Sequence, residues 1–126
     1  MQKPNAIGWF DIYVNDLERA SKFYQTICQQ QLTDLGDPTG ETKMKMFVGA
    51  MDKYGASGAL VKSQFAKPGN GGTLVYFSVE DCELSEAKVK KAGGKLIRPK
   101  FSIGEFGFVT LCEDTEGNLI GLNSMK

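Results

Sequence analysis

Residues 7–19, IGWFDIYVNDLER, decide how the chain is read. Between Trp9 and Val14 the side chains alternate as a strand requires, and Asn15-Asp16 is a pair suited to capping a helix. Leu17, Ala20, Phe23, Tyr24 and Ile27 then recur at helical spacing, which predicts a helix over about 16–29. Residues 72–84, GTLVYFSVEDCEL, have the same form. Val14 falls on Val79 and Asp16 on Asp81, an offset of 65 residues, about half the chain. Repetition on that scale implies two copies of one unit. The second helix is expected over about 81–92, where Leu84, Ala87, Val89 and Ala92 lead into Gly93-Gly94, a strong stop.

Three short strand-like runs follow each helix. They are 31–35, 43–49 and 57–62 in the first half, and 95–98, 106–112 and 119–123 in the second. The pieces GDPTGE, MDKYGA and EDTEGN between them carry the Gly, Pro, Asp and Asn that turns require. Each half reads strand, helix, strand, strand, strand. The expected fold is α+β: two tandem βαβββ modules forming a half-open, strongly curved eight-stranded sheet, with one helix per module outside. The chain is read as a single domain, 1–126. Module one covers about 5–63, the connector about 64–71 with its Pro68 and glycines, and module two about 72–126.

Alternation in the two opening strands separates two faces. Phe10, Ile12 and Val14, with Val75, Phe77 and Val79, are purely apolar and are expected to pack under the helices. The opposite sets, Trp9, Asp11 and Tyr13 with Leu74, Tyr76 and Ser78, mix aromatic area with polar tips and suit the wall of a concave pocket. Trp9 is equally readable as a core or dimer contact. Asp11 is readable either as a group facing a ligand or as a paired or solvated rim carboxylate. Tyr76 either orients a ligand through its hydroxyl or packs across strands. Asn123, on the same face as Gly121, is a further candidate wall residue. In residues 101–111, FSIGEFGFVTL, two glycines flank a loop that could carry Phe106 or Phe108 over a ligand. Glu105 there reads as a solvated charge.

Composition narrows the chemistry. The 126 residues contain no His, which removes imidazole bases, Ser-His-Asp and Cys-His catalysis, and metal sites built on His. Fifteen Lys plus Arg balance fifteen Asp plus Glu, with no basic excess of the kind that nucleic-acid binders show. Lys88 to Lys100 is rich in lysine, but the acids of Glu80 to Glu86 precede it, in the order that suits a helix dipole. Cys28, Cys82 and Cys112 are odd in number and lack C-x-x-C spacing, against a disulfide framework or cysteine zinc site. Cys82 follows the helix cap Asp81 and reads as a small apolar residue of the first turn. No apolar run is long enough for a membrane span, and MQKPNAIGWF lacks a signal h-region, so a cytoplasmic location is expected.

Four stretches carry a resemblance: V-N-D-L-E-R-A-S-K-F-Y at 14–24, the V-E-D that opens the second module, the A-G-G after its helix, and D-T-E-G-N-L-I-G-L at 114–122. Together they resemble the vicinal oxygen chelate superfamily, which includes glyoxalase I, bleomycin and fosfomycin resistance proteins and extradiol dioxygenases. The resemblance spans nearly the whole chain. It implies paired βαβββ modules, often in a homodimer, and, in metal-dependent members, four ligands drawn from the first and last strands of each module. By position these fall on Trp9, Leu74, Gly121 and a residue near Leu60 or Val61, none of which can bind a divalent cation through its side chain.

The expectation is therefore a glyoxalase/bleomycin-resistance-like protein that binds a small, partly aromatic or amphiphilic molecule without metal or other cofactor. Its pocket is expected to include Trp9, Asp11, Tyr13, Leu74, Tyr76, Phe108, Gly121 and Asn123. The alternative is a lyase or isomerase acting on a carbonyl substrate, with Asp11 or Glu105 as base and Tyr76 or Asn123 as donor. A non-catalytic interaction module is the third class. A homodimer is expected in each case, with neither nucleic acid nor membrane as partner.

Overall fold

Asp16 and Asp81 organise the two halves in the same way. Each ends an extended segment and caps a helix, the first accepting from the Arg19 amide and the second from the Glu83 amide. The computed structural model describes residues 7–50 and 52–126. Module one runs β1 (Phe10–Tyr13), α1 (Leu17–Cys28), β2 (Thr33–Leu35), β3 (Thr42–Met46) and β4 (Gly58–Ser63). Module two runs β5 (Val75–Ser78), α2 (Cys82–Lys91), β6 (Lys95–Ser102), β7 (Phe108–Glu113) and β8 (Leu119–Ser124). Both helices lie within the spans expected from capping and periodicity.

The strands form two four-stranded mixed sheets, ordered β1-β4-β3-β2 and β5-β8-β7-β6. The expected eight-stranded surface is thus made of two halves, with no ladder joining them among the described residues. In each, the opening strand pairs in parallel with the closing one, and its other edge has no strand partner among the described residues. β6 extends beyond the expected 95–98. It carries Pro99 because it is an edge strand whose register shifts between Arg98 and Phe101, where a missing amide costs no ladder bond.

The apolar sets face inward as the alternation predicts except at Val75, which is half-buried and lines an open cleft instead of the core. Ile12, Val14, Leu60, Ile120 and Leu122 form one buried cluster with Phe23, Tyr24 and Val89 from the helices, and Phe10, Phe77 and Val79 pack at its margin. This core joins the modules. Tyr24 stands between them, its ring 5.7 Å from Phe47 of module one and 5.5 Å from Phe77 of module two. Gly94 lets the start of β6 lie against this core, since a Cβ there would press on Phe23, Val89 and the Glu113 carbonyl.

The turn Asp114 to Asn118 fastens one module to the other. Glu116 Oε1 accepts from the backbone amides of Asn15 and Asp16, both at 2.9 Å, and Arg19 donates to its two oxygens at 2.7 and 2.9 Å. Asp114 takes the Tyr24 hydroxyl at 2.5 Å, while Asn118 donates to the Tyr13 carbonyl and accepts from the Gly69 amide. The stretches 14–24 and 114–118, which carry the family resemblance, are therefore partners across the module boundary.

Candidate functional site

The first strands of the two modules, Phe10 from β1 and Val75–Ser78 from β5, both contribute to an open cleft of about 770 Å³. Phe10 from β1, Phe47 after β3 and Phe77 from β5 make an aromatic triangle, with centroids 5.7, 6.0 and 5.6 Å apart. Offset and edge-on rings at these separations attract one another. Phe10 and Phe77 are only half-buried and line the cleft with Phe47. Tyr76, Ser78 and Asn123 add polar tips on the module-two side.

The remaining wall is the connection between β3 and β4, residues 47–57, which supplies Val48, Lys53, Tyr54 and Ser57. Its sequence MDKYGA, taken above only as a turn, begins at Met51, which lies outside the described residues. Tyr54 is 97% exposed, so its ring stands free at the mouth. The loop is anchored at its base, where the Ser57 hydroxyl donates to the Phe47 carbonyl at 2.8 Å and the Phe47 amide donates to the Gly58 carbonyl. Its signal in the sequence was length: it is roughly twice its counterpart DTEGN in module two and carries an aromatic residue that no core needs.

Of the eight expected pocket residues, Tyr76 and Asn123 line this cleft and the other six do not. The Trp9 indole donates to Asp11 Oδ1 at 3.0 Å, so these neighbours satisfy each other on an exposed strand edge. Tyr13 is half-buried, and its carbonyl is held by Asn118. Leu74 sits half-buried just ahead of β5. Phe108 does not close over a ligand: it packs against the core on the helix side of its sheet, with the Lys100 ammonium 4.7 Å from the ring centroid. Phe108 opens β7 in register with Ser102 and Ser124, one residue out of phase with the Asn123 face, and that parity decides its side. The Asn123 amide donates to the Phe108 carbonyl at 3.0 Å and to the Phe106 carbonyl at 3.4 Å, the second bond tying the Gly104–Phe106 turn to β8. Glu105 in that turn is exposed and outside the cleft.

The strongly shifted groups are structural. Burial pushes the Glu116 carboxyl up, but hydrogen bonds from Arg19, the Asp16 amide, Thr115 and the Asn15 amide outweigh it and hold the group at about 2. Tyr24 is driven well above its ordinary value by burial and by the Asp114 carboxylate. Cys28 is the one thiol in the cleft wall, and burial pushes it up to about 12, which keeps it protonated and a poor nucleophile.

With this geometry, a family model for the glyoxalase/bleomycin resistance protein/dioxygenase superfamily matches residues 6–122. The chain belongs to that superfamily. Solved structures agree in fold. A glyoxylase/bleomycin resistance protein/dioxygenase domain from Frankia sp. EAN1pec has a TM-score of 0.73 at 17% identity, with 98% of this chain and 100% of that one covered. A trypanothione-dependent glyoxalase I from Leishmania major has a TM-score of 0.70 at 15% identity, covering 97% and 88%. A glyoxalase I mutant from Zea mays reaches 0.67 at 19% identity, where this chain spans 46% of the longer protein. No curated protein matches the sequence.

The metal that the superfamily resemblance implies does not fit the donors present. Ladder register sets Tyr76 opposite Gly121 as it sets Asp11 opposite Ala59, so the fourth ligand position is Ala59 rather than Leu60 or Val61. The four positions therefore hold an indole, a leucine, an alanine and a glycine, none of them a Lewis base. At Gly121 a Cβ would run into the Tyr76 ring, which takes the space a ligating side chain would need. Among the described residues no three of His, Cys, Asp and Glu gather where they could hold an ion.

Proposed function

We propose that this superfamily member binds a small, partly aromatic or amphiphilic molecule in the cleft between β1 and β5, through aromatic contact and without a metal. The observation that carries the reading is the aromatic triangle of half-buried Phe10 and Phe77 with buried Phe47, lining an open volume of about 770 Å³, within the size range of ligand sites. Binding is preferred to a carbonyl lyase because no carboxylate is among the described lining residues, while Asp11 is engaged by Trp9. The same reading includes a homodimer, in which a second copy covers exposed Trp9, Ile103 and Phe106. It also includes a reducing, cytoplasmic setting, suited to three free thiols. No helix among the described residues is long and apolar enough to cross a membrane.

The test is calorimetric titration with aromatic and amphiphilic metabolites against the native chain and Ala56→Trp, which fills the cleft from its exposed wall. Binding to the native chain and at least a tenfold loss, about 1.4 kcal/mol, in the variant is expected. Equal binding by both proteins removes the cleft as the site.

A further inference from the structure

Resting on the cleft reading, we infer that the ligand is an aromatic anion, selected by Lys53. Lys53 is the one charged residue among the described residues lining the cleft. It is exposed and enters no ion pair among the described residues, whereas Lys45, Lys100 and Lys126 are each paired with a carboxylate. A turn closed by the Lys53 amide on the Ala50 carbonyl, at 3.2 Å, sets its position in the loop, and its neighbour Asp52 lies outside the lining.

The other polar lining groups carry no charge: the Ser57 hydroxyl and the Asn123 amide already donate to backbone carbonyls, and Gln30, Tyr54, Tyr76 and Ser78 are neutral donors. The cleft thus combines an aromatic floor with a single unpaired cation on its wall. A cationic ligand would meet Lys53 with no carboxylate to offset it, and a neutral one would leave the ammonium unused. A flat ring system bearing one carboxylate satisfies both parts: the ring covers Phe10 and Phe77 above buried Phe47, and the carboxylate meets the exposed ammonium at the mouth.

The experiment compares naphthoate, its neutral methyl ester and naphthylmethylammonium by calorimetry, on the native chain, Lys53→Gln and Lys53→Glu. Lys53 is exposed on a loop, so both variants keep the fold. Naphthoate is expected to bind about three- to tenfold more tightly than the ester, as suits a partly screened pair, and the cation most weakly. Lys53→Gln removes the preference, Lys53→Glu turns it toward the cation, and raised salt narrows it in the native chain. Ester binding equal to naphthoate, or a preference unchanged in Lys53→Gln, overturns the charge selection and leaves the cleft reading standing. If none of the three probes binds, the cleft reading falls with it.

Discussion

Two loops at corresponding places in the two modules have opposite characters. The 114–118 turn between β7 and β8 buries Asp114, Glu116 and Asn118 and spends their polar atoms on the other module. The 47–57 connection between β3 and β4 is longer, mostly exposed, and forms the wall of the cleft. Duplication supplied two copies of one connection. One copy is packed between the modules and the other stands exposed, where a connection is free to take on contacts other than packing.

Substitutions should separate these roles sharply. The largest effect is expected for Glu116→Ala, which leaves the Asn15 and Asp16 amides and the Arg19 guanidinium without their acceptor. Arg19 keeps access to water, so the loss should be about 2–4 kcal/mol in urea denaturation rather than the upper limit for a buried pair. A loss below about 1 kcal/mol would make the turn a passive connection.

Acid acts on the same group. The folded-state pKa of Glu116 is depressed to about 2, so its contribution is complete above the ordinary carboxylate range and is lost as pH falls from about 5 toward 2. Asp37, held at about 2 by hydrogen bonds from Thr42 and Thr39, titrates in the same direction on the surface. Stability measured across this window should fall steeply in the native chain and clearly less in Glu116→Gln.

Tyr24→Phe is a smaller perturbation. It keeps the ring contacts with Phe47 and Phe77 and removes one donor from buried Asp114, which retains the Glu116 and Asn118 amides, for about 1–2 kcal/mol. At the far end, Ala56→Trp in the other loop should change stability by less than about 0.5 kcal/mol while blocking the cleft. A large stability loss there would show that the loop is part of the packed structure and erase the contrast between the two connections.

What the sequence disclosed depended on the range of the interaction. Helix limits were legible because Asp16, Asp81 and Gly93-Gly94 act within a few residues, and strand faces were legible because alternation is local. Phe108 was misjudged from a loop reading, when its ladder position decides its side. The cleft stayed hidden because it arises from the placement of β1 beside β5, which no local pattern specifies. Trp9 and Asp11 were singled out separately, yet their polar tips simply satisfy one another two residues apart. In D-T-E-G-N the motif was visible, but its partners about a hundred residues earlier were not.

That separation has a consequence for how the chain is made. When module one leaves the ribosome, the amides at the mouth of α1 have no carboxylate to receive them, and Tyr24 has neither Asp114 nor Phe77 beside it. The nascent first half therefore emerges with its aromatic side uncovered, and its first helix is locked only when Glu116, a hundred residues later, has been made. Contacts of such long sequence separation form late and leave apolar surface uncovered until they do, so the closure of the two halves is where chain synthesis and folding are coupled.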